Sequence, residues 1–173
     1  NFGVGAISGD LSVQGYNSCG LGAESVALPI VIEALPTLTS SLTPLDVCSE
    51  EAFIYMPTSA SVGATYSWSR SVIAGITNAA ASGTVDINEV LINDTSGTVS
   101  VDYEITITSG NGCVNTEIVT VIVNPSPTLT SSLTPAAICS GETFTYIPAS
   151  STDPSTIQWT RVSVTGISGS NSG

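Results

Sequence analysis

Apolar and polar residues alternate along much of the chain with the period of two that a half-buried strand demands. The clearest run is Val99, Val101, Tyr103, Ile105 and Ile107, separated by Ser100, Asp102, Glu104 and Thr106. Gly110-Asn111-Gly112 is a hairpin signal, and residues 116–123 carry the returning strand. Further strands are predicted over 37–43, 52–56 and 64–70, the last with Tyr66 and Trp68 on one face. A polar, Ala-rich connection (77–83) leads to a strand over 84–91, with Val85, Ile87 and Leu91 pointing inward. Residues 93–97 form a turn. Nearer the start, 11–14 and 25–33 read as two strands around a turn at 17–22, with Pro29 at an edge or bulge. No segment carries helical spacing of any length.

The pattern repeats. Pro-Thr-Leu-Thr-Ser-Ser-Leu-Thr-Pro occupies 36–44 and returns unchanged at 127–135, an offset of 91 residues. Cys48, Phe53, Tyr55, Pro57, Trp68, Arg70 and Gly75 then recur as Cys139, Phe144, Tyr146, Pro148, Trp159, Arg161 and Gly166. Aligned without gaps, 36–82 and 127–173 share 21 of 47 positions, which marks tandem copies of one domain. The expected organisation is the C-terminal part of a preceding repeat (1–35), a complete repeat (36–126) and the N-terminal half of the next (127–173). The chain then reads as a stretch of a longer array. A unit of this size buries only about 60–65% of its unfolded surface. Asn124-Pro125-Ser126-Pro127 joins one unit directly to the next, and its prolines stiffen the link.

About six short strands, with Trp68 on the third and Tyr103 near the start of the penultimate one, predict an all-β fold: immunoglobulin-like β-sandwiches in an extended tandem array. Trp68, Trp159, Tyr55 and Tyr103 are the expected core residues.

Composition narrows the partners. Fourteen acidic residues face only Arg70 and Arg161, there is no Lys or His, and the net charge is −12. Nucleic acid and anionic lipid both need a positive patch, so neither is an expected partner. No apolar run approaches the ~20 residues of a membrane helix, so no membrane insertion is expected in this segment. Catalysis has no His, Lys or nucleophile-elbow Ser to work with, and no enzyme is expected.

Val47-Cys48-Ser-Glu-Glu-Ala-Phe53-Ile-Tyr55-Met-Pro57, Ala64-Thr-Tyr-Ser-Trp68-Ser-Arg70, Gly75-Ile76-Thr-Asn78, Gly112-Cys113-Val-Asn-Thr116 and Val121-Ile-Val-Asn124-Pro125 resemble PKD-like, immunoglobulin-like repeats. Ile138-Cys139 to Phe144 and Trp159-Thr-Arg161 repeat the pattern. Such repeats build giant secreted surface proteins of Bacteroidetes-type bacteria. A typical PKD domain carries Asp-Phe-Gly-Asp-Gly after its strand Trp, whereas Trp68 is followed by Ser69-Arg70-Ser71, so the resemblance is to the PKD-like subgroup. It implies extracellular display on a bacterial cell surface, and a role in an adhesin or filament of the gliding-motility-associated type.

The cysteines carry the main candidate chemistry. Cys113 sits in the predicted hairpin, Cys19 in a similar Asn17-Ser-Cys19-Gly context, and Cys48 and Cys139 before the second strand of each copy. Without His or paired C-x-x-C, disulfides are favoured over metal. A Cys48–Cys113 bond within one unit is one pairing. An immunoglobulin-like topology places these residues roughly 20 Å apart, beyond the ~7 Å limit for a bridge. The other pairing joins the first cysteine of one unit to the hairpin cysteine of the next. Both stay open at this level.

Arg70 and Arg161 are expected to pair with carboxylates, Glu89 or Asp102 serving Arg70. Asp86, Asn88, Glu89, Asn93 and Asp94 are rich in hard oxygen, and Asp86, Glu89 and Asp94 are weak calcium candidates. Their spacing matches neither an EF-hand loop nor a repeat cage, which favours a solvated acidic edge, and no cofactor is otherwise expected. Asn93-Asp94-Thr95 is formally a glycosylation sequon, expected to be silent in a bacterial source.

The expected function is a structural stalk or filament segment of a large surface adhesin. Its partners are neighbouring repeats, other copies in a filament, and a surface or glycan receptor reached through a distal tip. The alternatives are a glycan- or calcium-binding accessory module of a secreted protein, with exposed aromatics as its mark, and a fibre subunit assembled by strand donation.

Overall fold

The computed structural model describes residues 3, 5–152, 154–170 and 172–173. Eleven strands occur among them: β1 (Gly9–Leu11), β2 (Gln14–Asn17), β3 (Gly20–Glu24), β4 (Leu28–Ile30), β5 (Val47–Cys48), β6 (Ala52–Tyr55), β7 (Thr65–Arg70), β8 (Ala81–Gly83), β9 (Ile87–Val90), β10 (Val99–Thr108) and β11 (Val114–Asn124). Five of them form one sheet in the order β5-β11-β10-β7-β8, and β6 pairs with β9 in a second. The result is an all-β, immunoglobulin-like sandwich.

The long hairpin β10–β11 is its backbone. Ten consecutive antiparallel pairs run from Val99↔Val123 to Thr108↔Val114, and the turn closes with Ser109 N–H donating to Cys113 O at 2.9 Å. Gly112 takes φ 84°, which the alternating run cannot supply with a side-chain residue at low cost. Alternation does the rest. Val101, Tyr103, Ile105 and Ile107 of β10 and Val119, Val121 and Val123 of β11 point inward and are fully buried.

The β6–β9 pair supplies Phe53, Tyr55 and Ile87, with Leu91 following. Tyr103 stands at the centre, its ring 5.4 Å from Phe53 and 5.7 Å from Trp68, the latter edge-on. Burying each such ring removes 150–250 Å² of surface from water and dominates the energetics of a small core.

Several expectations need correction. The 37–43 stretch is no continuous strand. Leu38 bridges Ser59, Thr39 N–H donates to Thr58 O, and Leu42 O then accepts from Thr120 of β11, so the segment crosses between the two sheets. The Ala-rich connection ends in a real strand, β8, because Gly83 lies opposite Trp68 in register. A Cβ at Gly83 would sit 2.7 Å from Trp68 Nε1, so the indole lies directly on the bare backbone. The bend at 84–85 that follows turns Val85 out to solvent. Finally, Trp159 is not a core residue, being 46% exposed against 9% for Trp68. The strands that cover Trp68 are β8–β10, whereas 127–173 repeats only 36–82.

Before Pro36 the described residues form two short antiparallel pairs, β1–β4 and β2–β3, rather than two unbroken strands, and Pro29 pairs with Asp10. Their apolar residues Leu11, Tyr16, Leu21 and Leu28 are exposed.

Candidate functional site

Two places gather side chains whose chemistry exceeds packing: a buried ionic knot at the sandwich centre, and the two poles where the chain enters and leaves.

The knot begins with Arg70, the last residue of β7. Its side chain is completely buried, and each of its three guanidinium nitrogens donates at least one hydrogen bond. Nε and Nη2 donate to the two carboxylate oxygens of Glu89 at 2.9 Å each, in the bidentate geometry that suits a planar guanidinium. Nη2 also donates to Ala79 O at 2.8 Å and Nη1 to Ser71 O at 3.2 Å. Tyr103 adds its hydroxyl to Glu89 at 2.7 Å.

Burial alone raises the Glu89 carboxyl, but the hydrogen bonds from Arg70 and Tyr103 outweigh it and hold the group below its ordinary range. The hydrogen bond to Glu89 raises Arg70 further. Burial first, and Glu89 second, push the Tyr103 phenol strongly upward. Glu89 is thus the partner of Arg70. Asp102, the other candidate, accepts from Thr120 Oγ at 2.6 Å on the outer face.

Glu89 is committed to Arg70 and Tyr103, and among the described residues no three Cys, Asp or Glu side chains gather as metal ligands, so Asp86, Glu89 and Asp94 do not meet. Asn93 is buried, its amide donating to Gly97 O and Val123 O at 2.8 Å each. Both amide protons of the sequon are therefore occupied by backbone. Trp68, Tyr55 and Tyr103 lie inside and form no exposed aromatic strip. A shallow polar groove on the outer face is lined by Ser69, Ser71, Asp102, Glu104 and Ile118.

The poles are defined by β11. At its start lie Cys113 and the point of entry, where Asn115 Nδ2 donates to Pro36 O at 2.9 Å and Glu117 accepts from Leu38 N–H at 3.0 Å. At its end lies the exit, where β5 runs parallel to β11 with Val123↔Val47 and Asn124↔Cys48 in register. Ser49 N–H donates to Asn124 O at 2.7 Å, and Ser126 donates to Ser49 O at 3.5 Å.

Cys48 and Cys113 therefore stand at opposite ends of β11, roughly 36 Å apart at ~3.3 Å per residue. That excludes a bond between them within this sandwich. Cys19, Cys48, Cys113 and Cys139 are all free thiols. The functional residue that the sequence pattern did not single out is Glu33. Its carboxylate accepts from Cys113 Sγ at 3.5 Å and from Ser109 Oγ at 3.3 Å. An acidic residue just before a linker carries no signal by itself; only the fold brings it to the hairpin.

The fold and its poles define an immunoglobulin-like β-sandwich module, entered at one end and left at the other. Residues 45–127 match the family model of the PKD-like domain, a span that holds the whole sandwich from β5 to β11. PKD-like domains are typically extracellular and generally non-catalytic. No curated protein matches the chain. Among the described residues no helix is long and apolar enough to cross a membrane.

Proposed function

We propose that the chain is a segment of an extracellular stalk or filament on a bacterial surface, built from PKD-like sandwiches joined end to end. Residues 1–35, 36–126 and 127–173 belong to three successive units in this reading. The observation that carries it is the polarity of the sandwich: Pro36 enters beside the β10–β11 turn, and Asn124 leaves at the far end of the same hairpin. Because the nonamer resumes at Pro127, three residues past Asn124, the next unit is added along the axis rather than beside it.

Extension under load is opposed by ten pairs of the β10–β11 ladder and by the Arg70–Glu89–Tyr103 knot, which ties β7, β9 and β10 across both sheets. A surface with net charge −12 and almost no cations keeps neighbouring copies apart. The function is thus reach and stiffness, with any receptor contact made elsewhere in the longer protein.

Small-angle X-ray scattering tests the reading on the chain with residues 36–126 duplicated in line. The maximum dimension is expected to grow by about 36 Å, the length of β11. Growth of less than half that amount, with the two copies lying side by side, would refute an end-to-end stalk.

A further inference from the structure

We infer that Cys48 and Cys113 mark the two halves of a covalent staple across each junction, the first cysteine of one unit bonding to the hairpin cysteine of the next. The inference rests on the end-to-end reading above. Glu33 stands three residues before Pro36, as Asn124 stands three before Pro127, so the two hold the same place in successive units. Asn124 is in parallel register with Cys48, and parallel neighbours lie about 4.8 Å apart. The side chains of a register pair share a face. Val123 and Val47 turn toward the core, which sends Asn124 and Cys48 outward together.

At the junction the chain contains, Glu33 reaches Cys113 Sγ at 3.5 Å. A cysteine in the Cys48 position of the unit preceding Pro36 would therefore lie beside Glu33, on the face that already touches Cys113. That puts the two sulfurs on the same side of the entry strand, the first requirement of a bond between them. Within residues 1–173 no two cysteines hold these complementary places across one junction. Cys48 would meet the hairpin cysteine 91 residues after Cys113, and Cys113 the cysteine 91 residues before Cys48. Four free thiols are what this pattern requires of the present chain.

Bond formation proceeds by exchange with a small disulfide such as oxidised glutathione. One cysteine thiolate attacks it, forms a mixed disulfide and expels one glutathione thiolate. The second cysteine thiolate then attacks the protein sulfur of the mixed disulfide, closing the Sγ–Sγ bond and releasing the second glutathione. Two electrons pass to the glutathione disulfide, and each cysteine loses its proton to solvent.

The test uses the chain with residues 36–126 duplicated in line, equilibrated in a glutathione redox buffer. The expected product has one disulfide, a mass loss of about 2 Da, and a tryptic or chymotryptic peptide pair joining Cys48 of the first copy to Cys113 of the second. Cys48→Ser in the first copy should abolish the bond, and the same change in the second copy should leave it intact. A bond within one copy, no bond under oxidising buffer, or equal loss from both variants would overturn the staple. Scattering on the reduced protein separates the two claims: free thiols in an extended protein refute the staple alone, whereas a side-by-side arrangement refutes the array reading.

Discussion

Residues 36–82 and 127–173 are related sequences, identical at 21 of 47 positions, in two surroundings, and the contrast separates what local sequence builds from what distant strands build. The turns are identical. Glu51 N–H donates to Cys48 O at 3.1 Å and Glu142 N–H to Cys139 O at 3.2 Å; Ile76 N–H donates to Ile73 O and Ile167 N–H to Val164 O, both at 3.1 Å. Ser40 shares a 2.7 Å hydrogen bond with Tyr55, and Ser131 does the same with Tyr146. Even the bridge of Leu38 to Ser59 returns as Leu129 to Ser150.

What differs is everything that needs residues after 82. Phe53 is buried and Phe144 half exposed; β6 is a strand, and the matching 143–146 is not, because β9 has no counterpart in 127–173. Arg70 holds Glu89 with two hydrogen bonds, while among the described residues Arg161 meets the carbonyls of Gly169 and Ser170 through Nη2 and its Nη1 has no partner. Short-range hydrogen bonds thus form in either setting, but strands and burial arrive only with the second half of the sandwich. Pro36 illustrates the same point from the entry side. It is buried against its own hairpin end, whereas the identical Pro127 is exposed.

The contrast can be broken most severely at the tryptophans. Trp68→Ala should lower the unfolding free energy of the sandwich by about 3–5 kcal/mol, whereas Trp159→Ala should change it by less than about 0.5 kcal/mol. Urea titration followed by far-ultraviolet circular dichroism compares the two, and equal losses would erase the distinction.

Arginine comes next. Arg70→Ala leaves Glu89 partly buried without its cation and should cost about 3 kcal/mol; Arg161→Ala should cost almost nothing. A pH series sharpens this. The folded Glu89 carboxyl lies below its ordinary value of 4.5, so its contribution is fully present above that value and is lost as pH falls through the lower folded value. The stability gap between the native chain and Glu89→Gln should therefore be widest near neutrality and shrink on acidification below about pH 4.5. A gap that stays constant from pH 7 to pH 3 would show that the ionised carboxylate is not what matters.

Gly83→Ala should cost about 1–3 kcal/mol, because the added methyl meets the Trp68 indole at 2.7–2.9 Å. The smallest effect concerns a turn shared by both copies. Glu50 adopts φ 70° where its counterpart Gly141 adopts 89°, so Glu50→Gly should raise stability by up to ~1 kcal/mol through relief of left-handed strain. Differential scanning calorimetry of both variants would reveal either sign.

Much of the sandwich was legible because its longest strands obey period two without interruption: the inward residues of β10 are the apolar ones of the alternating run. The hairpin turn, the strands at 52–55 and 65–70 and the pairing of Arg70 with one of two carboxylates were legible for similar local reasons. The rest was written in distant contacts. Ala81-Ser82-Gly83 has no apolar alternation, and its strand exists because Trp68 requires a residue without a side chain opposite it. The nonamer looks strand-forming throughout, yet it divides its hydrogen bonds between two sheets, a choice set by where Tyr55 and Thr120 stand. Glu33 acquires meaning only because the fold returns Cys113 to the point of entry.

The most direct test of the repeat as the unit of structure is to supply residues 127–173 with the partner strands that 36–82 has. Residues 83–126 appended after Gly173 continue the 91-residue register, and Trp68→Phe leaves Trp159 as the sole indole. Trp159 emission is expected to move to the blue and to lose its quenching by acrylamide when the segment is added, as the second sandwich closes over it. Emission that stays at the position of a solvated indole, with quenching unchanged, would contradict the claim that 127–173 is the first half of another such domain.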